Sequence, residues 1–201
     1  MKRILASLAA IILSASALIS AQQPTDAPKP KHYYLDDVAQ FVPSLANATL
    51  TLCGQGVSMH WRERIALTLT SAVICEGTTL ALKHIVHSRR PDGSDYNSFP
   101  SGHTSRAFRG AEMLRAQHGW TWGAGGYAVA IGVGALRIHH HRHRFGDVAA
   151  GAAIGFLSAR AAYLLLPLER RIFGWNRSQV TAVAAPSITP GSFSVTASVI
   201  F

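Results

Sequence analysis

The chain has 201 residues, of which 48% are hydrophobic and 14% are charged, and its formal net charge is +9. This length predicts a single domain, and so few charged residues exclude a disordered chain or a coiled coil. The mean hydropathy of +0.17 lies between the values typical of soluble proteins and of bundles of spanning helices. The composition therefore fits a membrane-associated protein as well as a membrane-embedded one. The excess of basic residues favours anionic partners, such as acidic lipids or phosphorylated substrates.

The first residues have the pattern of a secretory signal. Lys2 and Arg3 precede an uncharged apolar run over residues 4–19, which small residues follow up to Ala21. We predict that residues 1–21 are a signal peptide. An uncleaved anchor helix is the alternative, because the run is close to the shortest length that spans a bilayer. The expected location is the periplasmic side of the cell envelope, in association with the membrane.

Export bears on the partners and on the two cysteines. It argues against nucleic acid as a partner, despite the basic charge. A disulfide between Cys53 and Cys75 is one expected arrangement in an exported protein. Both cysteines lie in apolar segments, where buried free thiols are expected equally.

After the signal, the sequence predicts a proline-containing linker at residues 22–36 and a helical domain at residues 37–171. The run from Trp120 to Leu136 carries no charge but five glycines, which favours close helix packing over lipid contact. None of the predicted helices is an unambiguous membrane span. The five helices are expected over residues 37–53, 62–87, 103–118, 122–138 and 146–166.

The pattern changes from helical to alternating after Arg171. Residues 178–188 and 192–201 alternate loosely between polar and apolar types around Thr189-Pro190-Gly191, which has turn chemistry. We therefore predict a short C-terminal β-hairpin within a tail of residues 172–201.

Three clusters combine basic groups with backbone suited to phosphate, and the first is Lys83 with Arg90. The two are seven residues apart, about two helical turns, so they share a face if the helix continues to Pro91. Two positive charges that converge at a helix end can bind an oxyanion, the arginine in bidentate fashion. A basic helix end that only complements the helix dipole is the alternative.

The second cluster is the segment 98–104, directly before an amphipathic helix. Ser101 is placed to cap this helix, and Gly102 lets a ligand approach free backbone N–H groups. His103 then stands at the mouth of an anion site. An ordinary serine cap beside an exposed histidine is the alternative.

The third cluster is Arg137, His143 and Asp147. His143 and Asp147 are four residues apart and hence neighbours on one face of a helix. A carboxylate bonded to one ring nitrogen leaves the other as a base or nucleophile in a fixed tautomer. Arg137 adds a third cation to the set.

The segment 138–144 contains four histidines and also raises the alternative of a metal site. Arg142 and Arg144 would repel a cation there, and no cysteine or group of carboxylates accompanies the histidines. We therefore predict no metal ligands.

In this order, the clusters resemble the three signature motifs of the type 2 phosphatidic acid phosphatase superfamily, which includes the class A acid phosphatases and the vanadium haloperoxidases. Ten of the eleven fixed motif positions match, and the exception is Leu136, where the family usually has serine. This departure removes one hydroxyl and keeps the histidines and cations. The matching segments are Lys83-x6-Arg90-Pro91, Pro100-Ser101-Gly102-His103 and Arg137-x5-His143-x3-Asp147.

The resemblance implies an all-α helical bundle and a metal-independent histidine phosphatase without a cofactor. His143, oriented by Asp147, would attack phosphorus and form a phosphohistidine, while His103 would protonate the leaving oxygen and later help to activate water. One neutral and one protonated histidine predict a bell-shaped pH profile. The residues expected to hold the phosphate are Lys83, Arg90, Ser101, Gly102 and Arg137.

An exported, apolar and basic protein of this kind fits a phosphate or pyrophosphate carried by a lipid. The candidate substrates are phosphatidic acid, phosphatidylglycerol phosphate, undecaprenyl pyrophosphate and lipid A. A soluble nonspecific acid phosphatase for small phosphate esters is the alternative within the family, and the domain is short for a vanadium haloperoxidase. The non-enzymatic alternatives are a His-rich metal-binding protein and an inactive membrane scaffold. The oligomeric state stays open.

Overall fold

The computed structural model describes residues 33–56, 59–175, 181–189 and 192–200. The predicted signal peptide and most of the predicted linker lie outside these residues and stay predictions. The described residues up to Ile172 contain helices and no strand, which confirms the all-α prediction. The helices are α1 (Tyr34–Ala39), α2 (Val42–Leu52), α3 (Trp61–Val86), α4 (Gly102–His118), α5 (Trp120–His139) and α6 (Phe145–Ile172).

The predicted first helix is two helices in the structure. Gln40 and Phe41 separate α1 from α2, and Pro43 lies in the first turn of α2. Proline has no N–H, and its ring crowds the carbonyl four residues earlier, so α1 cannot continue through Pro43. α1 begins at Tyr34, inside the segment predicted as a linker. This earlier start places two adjacent aspartates on a helix.

The other predicted helices agree with the structure to within two residues at each end, except for the last. α6 continues beyond its predicted end, through Pro167 to Ile172. The chain divides into two compact units, one ending at Leu166 and the other starting at Pro167.

The second unit contains two strands, β1 (Thr181–Thr189) and β2 (Ser192–Ile200). They pair antiparallel, with Thr181 opposite Ile200 and Thr189 opposite Ser192. Both lie within the tail for which a hairpin is predicted.

α4 is the central helix of the first unit and packs against α2, α3 and α5. Small residues bring the helices close together, among them the fully buried Ala107 and Ala111 of α4. A Cβ atom added to Gly151 of α6 would lie 2.5 Å from the Ser101 carbonyl oxygen. Only a residue without a side chain allows this approach, which holds the start of α4 against α6.

Two helices, α3 and α6, are long and apolar enough to cross a membrane. Only 22% and 28% of their apolar windows are buried inside the structure, so most of each window faces outward. The exposed side chains include Ile65, Leu69, Ile85, Phe156, Leu157 and Leu164.

The two cysteines are free thiols. Cys75 is buried in α3, whereas Cys53 is exposed at the end of α2. Of the two arrangements that the sequence left open, the structure shows the unpaired one.

Candidate active site

The three predicted clusters meet at one end of the helical bundle. The loop 87–101 joins α3 to α4, and the turn 140–144 joins α5 to α6. α4 and α5 are antiparallel neighbours, since only Gly119 separates them, so the start of α4 lies beside the end of α5. The Ser101 N–H donates to the Asp147 carbonyl at 2.9 Å, which ties the start of α4 to the first turn of α6.

The side chain of His143 is held in one orientation and one tautomer. Its Nδ1 lies 2.7 Å from the Ser98 carbonyl oxygen, and a carbonyl can only accept, so Nδ1 carries the proton. The lone pair of the neutral ring is therefore on Nε2. The side chain is 2% exposed. The ring thus presents one unprotonated nitrogen from a fixed position, as a nucleophile requires.

Asp147 supports this ring through Ser98 and makes no direct hydrogen bond to it. The two residues do not share a helical face, because His143 lies in the turn before α6. The distance from His143 Nδ1 to Asp147 Oδ2 is 3.8 Å, too long for a hydrogen bond. Asp147 Oδ2 instead accepts from Ser98 Oγ at 2.5 Å and from the Arg144 N–H at 2.9 Å. The prediction of a direct hydrogen bond between Asp147 and His143 is therefore wrong.

The environment of His143 keeps the ring neutral. Burial first, and then the charges of nearby cations, lower its pKa to about 2. The cations that act on it are Arg90, Arg137 and Lys83. All three predicted phosphate-binding cations therefore lie close enough to influence the same imidazole, although they come from three different segments.

Lys83 and Arg90 reach this place by a route that differs from the predicted one. α3 ends at Val86 because His87 adopts a left-handed conformation with a φ of 43°. Arg90 therefore lies in the loop, because the helical backbone conformation is unfavourable for a residue that precedes a proline. Its Nε donates to Asp95 Oδ1 at 2.7 Å. Lys83 Nζ donates to the Asn97 carbonyl at 2.6 Å, so the loop positions both cations.

Two of the cations carry buried donors without acceptors. Arg90 Nη1 and Arg137 Nε have no hydrogen-bond partner among the described residues. The side chain of Arg137 is 4% exposed, and its Nη1 lies 3.4 Å from Asp36 Oδ2. A buried N–H group without an acceptor is unfavourable by about 1–3 kcal/mol, and more on a charged group. An oxyanion bound between the two arginines would satisfy both donors.

Ser101 and Gly102 stand at the start of α4 as predicted, but Ser101 does not cap the helix with its side chain. No hydrogen bond links Ser101 Oγ to the helix backbone; it lies 2.9 Å from the hydroxyl oxygen of Thr104. Thr104 is three residues further along and takes up the hydroxyl that would otherwise bond the backbone. The expected cap is therefore wrong.

His103 is the second predicted catalytic histidine, and it contacts a residue that the sequence did not single out. His103 Nε2 lies 2.8 Å from Asp37 Oδ1 on α1. Burial and the charge of Arg137 lower the pKa of His103 to about 4, while Asp37 opposes this change. The charge of Arg137 thus disfavours protonation of both histidines.

The residues that sequence analysis missed are carboxylates and one serine. Asp36, fully buried, contacts Arg137 and also accepts from His140 Nδ1 at 2.8 Å. Ser98 is the first residue of the second cluster, and Asp95 lies between the first two clusters, so their closeness in sequence was a usable signal. Asp36 and Asp37 had no such signal, because their partners are 66 to 104 residues away in the sequence.

The four histidines of segment 138–144 do not converge. His139 and His141 are exposed, whereas His140 bonds Asp36 and His143 is buried. Within residues 33–56 and 59–175, no three His, Cys, Asp or Glu side chains group as ligands of one metal ion. The metal-binding alternative thus has no ligand set there. The metal independence of the reaction stays a prediction.

Known proteins resemble this chain in sequence and in structure. The PAP2 superfamily matches residues 5–171. A lipid A 1-phosphatase of Porphyromonas gingivalis is 34% identical over 142 residues, which cover 68% of this chain and 32% of that protein. The chain therefore spans about a third of the length of this curated relative. The crystal structure of Aquifex aeolicus LpxE superposes with a TM-score of 0.52 at 22% identity, covering 67% of this chain and 88% of that one.

Proposed function

The chain belongs to the PAP2 superfamily, and on this premise we propose that it is a phosphatase that removes phosphate from a phosphorylated lipid. The membership confirms the family predicted from the three motifs. Among the lipids considered, lipid A is the first candidate, because the curated relative is a lipid A 1-phosphatase. The other lipid phosphates and small phosphate esters are the alternatives that an assay must separate.

One observation carries the proposal. A neutral, buried imidazole faces three cations, and two of these cations have buried donors with no acceptor in the described part of the chain. A group of positive charges is costly to bury together unless an anion joins it. A phosphoryl group offers three oxygens to the cations and an electrophilic phosphorus to the ring nitrogen. The same arrangement of three cations around one imidazole therefore serves both to bind the phosphate and to attack it.

The proposed reaction has two steps. His143 Nε2 attacks phosphorus, the bond from phosphorus to the leaving oxygen breaks, and protonated His103 gives its proton to that oxygen. Water then attacks the phosphohistidine while His103 takes up a proton from it. The phosphorus–nitrogen bond breaks, inorganic phosphate leaves, and His143 returns to its neutral form. Lys83, Arg90 and Arg137 stabilise the charge on the phosphoryl oxygens in both steps.

The outward apolar faces of α3 and α6 support a lipid as the carrier of the phosphate. Both helices could lie in a bilayer, and the site is at the end of α3 and the start of α6. A site at the ends of spanning helices lies at the height of lipid headgroups. A lipid phosphate would then reach the cations without leaving the membrane.

We expect the protein, purified in detergent, to release phosphate faster from lipid A than from phosphatidic acid, phosphatidylglycerol phosphate, undecaprenyl pyrophosphate or p-nitrophenyl phosphate. The measurement is kcat/KM for phosphate release in one detergent at one pH. A preference of about tenfold or more for a lipid over the aryl phosphate corresponds to about 1.4 kcal/mol from lipid contacts. Equal values for all five would favour the nonspecific acid phosphatase. No release from any of them would overturn the proposed function.

EDTA should leave this activity unchanged, and vanadate should inhibit it. The phosphate site consists of cations and histidines, and vanadate can adopt the five-coordinate geometry of phosphorus under attack. The rate is measured before and after dialysis against EDTA, and then with increasing vanadate. If zinc, magnesium or calcium restores a rate that EDTA removed, the metal-independent mechanism is wrong.

A further inference from the structure

The short helix α1 places an acidic face against the catalytic end of the bundle. Its aspartates pair with basic groups of α4, of α5 and of the turn after α5. Asp36 contacts Arg137 and His140, and Asp37 contacts His103. Neither aspartate belongs to the three motifs. α1 is therefore part of the site, although sequence analysis assigned its first residues to a linker.

We propose that Asp37 is a positioning residue for His103: it fixes the ring by accepting from Nε2–H, leaves Nδ1 to serve the leaving oxygen, and favours the protonated ring. This inference rests on the proposed function, in which His103 is the general acid. A carboxylate accepts only, so a neutral His103 must carry its proton on Nε2 to make the 2.8 Å contact. The side chains of His103 and Asp37 are 21% and 39% exposed, so substrate and solvent can reach this pair.

His103 needs such a partner because its other charged neighbours oppose protonation. Arg137 faces it from α5 and Arg106 from its own helix, and both disfavour the imidazolium. Asp37 on α1 is the neighbour that favours it. The nucleophile has no comparable carboxylate in hydrogen-bond contact, since His143 Nδ1 bonds the Ser98 carbonyl. His143 is thus kept neutral, whereas Asp37 allows His103 to be protonated.

The test compares Asp37→Asn with the parent protein. Asparagine keeps the shape and an acceptor oxygen but removes the charge, so the pKa of His103 falls and the basic limb of log kcat/KM moves to lower pH. An opposite charge at this distance typically changes a pKa by about one unit or more. At a pH above this limb, we expect kcat/KM of Asp37→Asn for lipid A to be about tenfold lower than that of the parent. For p-nitrophenyl phosphate we expect a loss below about threefold, because nitrophenolate leaves without a proton.

Two further variants serve as controls. Asp37→Glu keeps the charge and should keep the limb within about 0.3 pH units of the parent. Glu63→Gln removes one negative charge in the first turn of α3, at the opposite end of the bundle, and should leave the basic limb of log kcat/KM unchanged. The ionisation of the substrate is common to all four proteins, so it cancels in the comparison.

A second measurement is independent of turnover. The titration of His103 by NMR of histidine-labelled protein, assigned with His103→Gln, should show a lower pKa in Asp37→Asn than in the parent. Equal pKa values, or equal losses for both substrates with an unmoved limb, would show a merely structural role. Faster turnover by Asp37→Asn would show that Asp37 competes with the substrate for His103. A parent without activity would refute the proposed function, and the NMR titration would still decide the contact.

Discussion

Replacing His143 with asparagine should lower kcat/KM by at least about 10⁴-fold, for lipid A and p-nitrophenyl phosphate alike. The amide nitrogen of asparagine lies about where Nδ1 does, so it can donate to the Ser98 carbonyl and fill the same buried space. The nitrogen that attacks phosphorus is then absent, while the fold keeps its hydrogen bond. The loss should be independent of the leaving group, because both substrates need the nucleophile.

His141→Asn is the matched control for this variant. His141 is exposed, lies in the same turn, and has a φ of 54°, a conformation that asparagine tolerates well. It should keep the activity of the parent within about twofold. Circular dichroism and thermal unfolding show whether both variants fold. Activity of folded His143→Asn within about tenfold of the parent would exclude His143 as the nucleophile.

Each of the three cations should matter far more than an equally charged neighbour. Arg90→Ala, Arg137→Ala and Lys83→Ala should each lower kcat/KM by about 100-fold or more, equivalent to about 3 kcal/mol of transition-state stabilisation. Arg89→Ala and Arg144→Ala change the net charge equally, but both side chains are exposed. Their effect should stay within about 0.5 kcal/mol. The measurement is kcat/KM at fixed ionic strength.

The choice of controls depends on the structure. Arg115 is outside the site, but its guanidinium makes two hydrogen bonds of 2.7 Å to the fully buried Glu112. Its removal would leave a buried carboxylate with fewer partners and destabilise the fold, so Arg89 is the better comparison. Arg137→Lys keeps the charge beside Asp36 and removes the forked donors, and should still lose more than about tenfold. Similar small losses at the site and control positions would mean that the basic residues only attract acidic surfaces.

The helices and the motifs were predictable because their signals are local. Apolar periodicity decides which segments are helical. Three of the five glycines of α5 lie in close packing as expected, and a Cβ on Gly126 would lie 3.0 Å from Leu114 Cδ2, whereas Gly125 and Gly132 have nothing within 4 Å. The order and spacing of the motifs were enough to predict the family, which the superfamily match confirms. The first predicted helix is nevertheless divided by Pro43. The ring of this proline crowds the carbonyl group four residues earlier, so the helix breaks before the proline.

The partners of the site residues were decided only by the tertiary structure. From the spacing of four residues, Asp147 was expected to bond His143 directly, yet the loop before α4 inserts Ser98 between them. Asp36 was predicted as the last residue of the linker and Asp37 as the first residue of a helix, and neither was assigned to the site, because no local pattern marks a carboxylate whose partner is on another helix. The sequence by itself therefore determined which basic groups and histidines are present and in what order. Which carboxylate or carbonyl holds each of them depends on how the helices pack, because these contacts join residues far apart in the chain.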